Sequence, residues 1–231
     1  MKTKITVYSE CTYLLSIIVL SFAVAMISAT DLGLSMIVAP AYIVSQKLTF
    51  LTFGQCEYIL QGVLFVAFCL LMKKVKAVYF SSFLTCIIYG AVLDLWRVVI
   101  PLFNPHITAP GSMELWLRIL LFVIGELLTA FSIALCYRTY LYPQVYDFFV
   151  KGVSEKYGID RNRLKTAFDV CCLLVACALT LLLFRKFVGI GVGTLIITAV
   201  NGVLIGMFGK LMDKHMTVKP LWPKLARVFE I

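Results

Sequence analysis

Leu20-Ser-Phe-Ala-Val-Ala-Met-Ile-Ser-Ala-Thr30-Asp-Leu32 is matched 109 positions later by Thr129-Ala-Phe-Ser-Ile-Ala-Leu-Cys-Tyr-Arg-Thr139-Tyr-Leu141, an apolar run of equal length with the same ending. At the same spacing Val44-Ser-Gln-Lys-Leu48 meets Val153-Ser-Glu-Lys-Tyr157. After a slip of three residues Glu57 falls on Asp169, Lys73-Lys74 on Arg185-Lys186 and Gly90 on Gly202. Identities are few, and two Leu/Val-rich helices share several by composition alone. The weight lies in one offset that aligns polar landmarks and segment boundaries together. A repeat fixes an architecture before any single residue does, and this one predicts two halves, residues 11–108 and 115–211, followed by a basic tail over 212–231.

Composition sets the solvent. Of the 231 residues 61% are hydrophobic and 14% charged, with a mean hydropathy of +0.97, too few polar side chains to coat a soluble globule of this size. A helix needs about 20 apolar residues to cross a hydrocarbon core about 30 Å thick. Six stretches satisfy this: 12–30, 56–72, 77–103, 115–141, 166–184 and 188–211. Two shorter ones, 33–48 and 142–157, carry Pro40, Gln46 and Lys47 or Pro143, Asp147, Lys151 and Glu155. They read as re-entrant or interfacial helices. The expected fold is an all-α integral membrane protein of six transmembrane helices in two three-helix repeats, each with one short element.

Basic residues are retained on the cytoplasmic side. Six crossings with both termini inside place sixteen Lys and Arg in the cytoplasm, from Lys2 and Lys4 to Lys224 and Arg227, and leave only Lys47, Arg185 and Lys186 outside. Letting both short elements cross would reduce this to thirteen against six. Three crossings per repeat is an odd number, so the second copy enters from the opposite face and the repeats are inverted, an arrangement typical of transporters. The formal charge of +9 then belongs to cytoplasmic loops and to the tail, where it meets anionic lipid headgroups, and it calls for no nucleic acid. The run after Met1-Lys-Thr-Lys4 imitates a secretory signal, but its length and its partner in the second repeat argue against cleavage. The eight cysteines form no C-x-x-C pair with histidine support and read as small buried hydrophobes.

Charged side chains inside the bilayer cost a few kcal/mol and are candidates for function. Glu126 is the deepest, roughly 16 Å along its helix at 1.5 Å per residue. It reads either as a proton or substrate-cation site or as a hydrogen-bonded packing residue. Asp94 and Arg97 share a helix face within salt-bridge reach; with Asp31 and Glu57 they would line an outer vestibule. The inner face carries Tyr146, Asp147 and Lys151 on the second short element, with Asp169 on the next helix and Arg138 on the previous one. Pro40 and Pro143 interrupt helix hydrogen bonding; exposed backbone at such places is the usual material of transporter sites, although plain amphipathic connectors would show the same pattern.

Gly189-Ile-Gly191-Val-Gly193 does not have G-x-G-x-x-G spacing and opens a membrane helix, so it is no nucleotide loop. Gly189, Gly191, Gly193, Gly202 and Gly206 are expected to allow close helix packing, with Asn201 bonding across the contact. Ser21, Ala25 and Ala29 make a smooth stripe on the first helix. With no Ser-His-Asp set, nucleophile elbow or metal-ligand cluster, the chain reads as neither an enzyme nor a metal or cofactor protein.

Asp31-Leu-Gly-Leu-Ser35, Leu93-Asp94, Lys165-Thr-Ala-Phe-Asp169, and above all Val188-Gly-Ile-Gly-Val-Gly-Thr194 with Asn201-Gly-Val-Leu-Ile-Gly206, resemble the YczE/YyaS/YitT-like family of bacterial membrane proteins over nearly the whole chain. The chain departs from the family pattern after Ser35, where Met36 stands in place of a proline. The resemblance implies a multi-pass protein of the bacterial cytoplasmic membrane and defines no activity. The expected function is a small secondary transporter, its solute held between the repeats by the short elements and Glu126 or Asp94 sensing the coupling proton. The competing readings are a solute-capturing subunit of a larger uptake complex, docked on a partner subunit or a second copy through the Ser21/Ala25/Ala29 stripe, and a scaffold without transport.

Overall fold

The computed structural model describes residues 5–73 and 77–229; Lys2, Lys4, Lys74 and Lys76 of the expected basic face, and the last two residues of the tail, lie outside them. Its helices are α1 (Ser9–Thr30), α2 (Ala39–Lys47), α3 (Phe53–Met72), α4 (Phe80–Val99), α5 (Leu115–Cys136), α6 (Val145–Tyr157), α7 (Arg161–Phe184), α8 (Val192–His215) and α9 (Pro223–Phe229). α1, α3, α4, α5, α7 and α8 are long and apolar enough to cross a membrane, so the protein is an all-α multi-pass membrane protein. Several ends differ from the hydropathy limits for local reasons. α7 begins before its apolar run because the Asp160 carboxylate accepts from the Arg163 N–H at 2.9 Å and caps it. α4 stops at Val99, well short of Phe103, because Pro101 drives Ile100 into an extended conformation.

α1 is the hub: 56% of its apolar window is buried, against 11% for α7. It packs on α4 and α5, and α5 packs in turn on α8. The stripe of Ser21, Ala25 and Ala29 is buried within the chain, so it is not exposed as a partner-docking surface. Arg118, which hydropathy passes over, donates from Nε to the Thr30 carbonyl at 2.6 Å and from Nη2 to the Asp31 carbonyl at 3.2 Å. It thereby satisfies the carbonyl end of α1.

Arg118 brings the start of α5 to the end of α1, and the spans alternate from there. The face where α1 begins and α8 ends carries a short parallel pair, β1 (Ile5–Tyr8) on β2 (Met216–Lys219), in register Ile5 to Met216. Glu10 accepts from the Tyr140 hydroxyl at 2.6 Å and from the N–H groups of Leu221 at 2.9 Å and Trp222 at 3.1 Å. α9 follows, with the Phe229 ring on Tyr140 and Tyr142. The described part of the expected basic tail, 216–229, is therefore folded onto this terminal face.

The glycines divide. A Cβ at Gly191 would collide with the Leu32 carbonyl, and one at Gly193 would come within 2.6 Å of Phe122. Gly189, at φ +71°, lies under the Tyr42 ring. Gly202 and Gly206 pack on nothing within the chain, which overturns their assignment as intrachain packing residues: α7 and α8 part at this level. The equivalent level of α3 and α4 is closed, because Gly54 lies against the Gly90 carbonyl so tightly that a Cβ would collide with it. Gly54→Ala should therefore destabilise the protein by about 1–3 kcal/mol through overpacking, while Gly202→Ala stays within about 0.5 kcal/mol; denaturation midpoints in detergent compare the two directly.

Candidate solute site

Two segments enter the protein and leave on the same face. The chain descends from Asp31, with the Leu34 N–H donating to the Gly189 carbonyl at 3.0 Å and the Leu32 carbonyl accepting from the Gly193 N–H at 2.8 Å. It turns at Ser35–Val38, beside Asp169 of α7 and Asn201 of α8, and α2 climbs back to put Lys47 over the Phe184 ring at 5.7 Å. Asn201 lies nine residues into α8, about 13 Å from its start, so the turn is near mid-depth. From the terminal face, residues 137–144 rise to a second turn. There the Tyr142 and Pro143 carbonyls accept from the hydroxyls of Thr85 at 3.2 Å and Ser82 at 2.7 Å. α6 then descends until Lys156 and Tyr157 donate to the Leu71 carbonyl at 2.6 and 3.1 Å. Both short elements are thus re-entrant.

Between the two turns lies a cavity of about 90 Å³. Ser35, Ile37 and Val38 line it from the first element and Pro143, Gln144, Tyr146 and Asp147 from the second, with α1, α4, α5 and α8 forming the walls. Cys136, Tyr137, Pro143 and Asp147 also border a vestibule of about 620 Å³ at the terminal face. Ser35, Ile37 and Asn201 also border a cleft of about 330 Å³ between α7 and α8. A third depression, about 300 Å³ at the opposite face, shares none of this lining. Buried Phe53 and Tyr42 stack edge to face at 5.2 Å on that side.

The sequence-predicted residues are redistributed. Asp147 borders both cavity and vestibule. Lys165, which the sequence did not single out as a site residue, bridges it at 3.6 Å to Asp169 at 3.2 Å. Its position four residues before Asp169 on one helix was the available signal. Burial, with the Asp147 carboxylate close by, raises the Tyr137 phenol above its ordinary range and keeps it a proton donor. Arg138 leaves the set: its guanidinium is bidentate to Asp213 at 2.7 Å and donates to the Gly209 carbonyl at 2.6 Å, tying α5 to α8. Lys151 stays at the vestibule rim.

Of the expected outer vestibule of Asp31, Glu57, Asp94 and Arg97, only Asp94 and Arg97 come together, lining the depression of about 300 Å³ at the opposite face. Asp31 is an exposed left-handed cap at φ 51°. Asp94 accepts from the Gly54 N–H at 2.9 Å and from the Thr52 hydroxyl, so its carboxylate serves the start of α3. Arg97 lies over the Phe53 ring at 5.3 Å, and no ion pair joins it to Asp94 among the described residues. Glu57 points inward, fully buried, accepting from Gln61 Nε2 at 3.1 Å and from the Tyr146 hydroxyl at 3.3 Å. Gln61 Oε1 in turn accepts the Val145 N–H at 3.2 Å, so this network pins the second turn. Glu126 is buried with both carboxyl oxygens unpartnered. It continues the α5 stripe of Thr129, Ile133 and Cys136, which line the cavity, one turn beyond it.

A family model described as a family of unknown function (DUF6198) matches residues 7–210, from β1 to within α8. The chain belongs to that family. No curated protein and no solved structure matches it. The site of this DUF6198 protein lies wholly within the matched residues, whereas α9 lies beyond them. Because Asp94 is a structural acceptor, Asp94→Ala should cost about 1.5–3 kcal/mol of stability and leave ligand affinity at the cavity within twofold, which denaturation and binding measured on one preparation would resolve.

Proposed function

We propose that the protein is a small secondary transporter that carries a solute across the bacterial cytoplasmic membrane, its terminal face in the cytoplasm, by alternating between two inverted halves. The carrying observation is the pair of re-entrant turns, one from each half and from opposite faces, that meet around a single cavity. The packing supports duplication: α1 on α4 corresponds to α5 on α8, α2 on α3 to α6 on α7, and α2 on α7 to α6 on α3, and three spans per half make the copies inverted. The tight α3–α4 contact and the parted α7–α8 contact are the closed and open versions of one interface, as expected of one state in an alternating cycle. The bacterial setting rests on the resemblance of the sequence to the YczE/YyaS/YitT-like proteins, and the orientation on the basic face. Exposed Lys224 and Arg227 of α9 are the groups assigned to anionic headgroups.

Glu126 carries the coupling proton in this reading. An unpartnered carboxylate in a buried site is costly, so the neutral acid fits the state described, and ionisation awaits a partner brought by solute or by helix movement. In proteoliposomes loaded with a pH-sensitive dye and challenged with a solute panel, the wild-type chain should move protons with at least one solute, and Glu126→Gln should abolish that movement while keeping the melting temperature. Equal proton movement in the variant would remove Glu126 from the mechanism, and no solute-driven movement by the wild type would remove proton-coupled transport.

A further inference from the structure

The cavity has a charge character that the transport reading leaves open. Asp147 is the one charged side chain in its described lining, and the base paired with it, Lys165 at 3.6 Å, stands outside that lining. Three phenol rings, Tyr89, Tyr137 and Tyr146, share that lining. Three polar atoms of the lining have no partner among the described residues: the acceptor Asn201 Oδ1, the donor Gln144 Nε2, and the hydroxyl of Thr129, a residue only 7% exposed. Lys165 stands in the neighbouring vestibule and cleft, nearer Asp169 than Asp147.

These groups select by sign. An anion would meet the Asp147 carboxylate with no base in the lining to offset it, whereas a cation gains that charge and the faces of the phenol rings. The remaining lining, Ile17, Leu20, Val24 and Ile133 among it, is apolar and suits alkyl groups better than a hydrated metal ion. A water needs about 10–15 Å³ of such volume, so the cavity holds a solute of roughly six to nine heavy atoms. Resting on the reading of this cavity as the solute site, we propose that the solute is a small organic monocation of the alkylammonium class. It is held by Asp147 among the three tyrosine rings, and Lys165 is the resident ammonium that withdraws to Asp169 when it binds.

The test is equilibrium calorimetry of tetramethylammonium chloride binding to the purified full-length chain, with sodium chloride holding ionic strength constant. Saturable binding is expected, weakened at least tenfold in Asp147→Asn and tightened several-fold in Lys165→Gln, which removes the competing ammonium. Should Asp147→Asn fail to fold, the tightening in Lys165→Gln decides alone. Absence of saturable binding, affinities within twofold across the variants, or saturable binding of sodium acetate in place of the cation would overturn the assignment. Binding is read without flux, so solute flux without tetramethylammonium binding sinks only the cation class, while binding without flux of any solute sinks only transport.

Discussion

A backbone that stops being helical inside a bilayer must find partners for its N–H and C=O groups within the protein, because hydrocarbon supplies none and each unpaired group costs several kcal/mol. This protein breaks its backbone twice at mid-depth, and much of the remaining structure answers that constraint. Leading into the first turn the partners are backbone groups of the glycine segment, Leu34 bonding to Gly189 and Leu32 to Gly193, an approach possible because no Cβ stands at Gly191 or Gly193. At the turn itself the Ser35 carbonyl accepts from the Val38 and Ala39 N–H groups at 3.1 and 3.0 Å. At the second turn the partners are side chains of α3 and α4, namely Gln61, Ser82 and Thr85. Glu57, fully buried, earns its place by fixing Gln61 and Tyr146.

The two solutions differ in rigidity, and the difference falls where movement would be useful. The second turn is bolted to α3 and α4, which are locked together at Gly54 and Gly90. The first turn leans on the start of α8, whose middle is free of α7 at Gly202. The central cavity shares lining residues with the cleft on that free side and with the vestibule at the terminal face, and none with the depression at the opposite face. The Asp147–Lys165–Asp169 bridge spans α6 and α7 across this region, so a ligand that draws on Asp147 acts on the least buried span of the protein.

How much of this was legible in the sequence depended on range. Hydropathy located all six spans because burial in lipid is a composition requirement, and the prolines with their polar neighbours marked both short elements. Their re-entrant form, as against an interfacial one, depended on contacts with Gly189, Gln61 and Ser82 that lie far along the chain. Asp147 and Asp169 were found as polar residues in apolar surroundings and do border the cavity and the cleft, whereas Asn201, expected to bond across a helix contact, borders both with its Oδ1 unpartnered among the described residues. Glu57 and Arg138 were misread for one reason: depth along a helix can be counted, but the facing side depends on neighbours. Lys165 and Arg118 were passed over as helix-end charges, and the folding of the tail onto Glu10 depended on pairing between the two ends of the chain.

In an inverted pair of halves the two short elements enter from opposite faces. Lys47, at the end of α2, and Lys151, within α6, are both exposed and can be read without mutation, by treating right-side-out and inverted membrane vesicles with an impermeant amine reagent and locating the label by mass spectrometry. Lys47 should be labelled only in right-side-out vesicles and Lys151 only in inverted ones. Labelling of both from the same side would contradict the account.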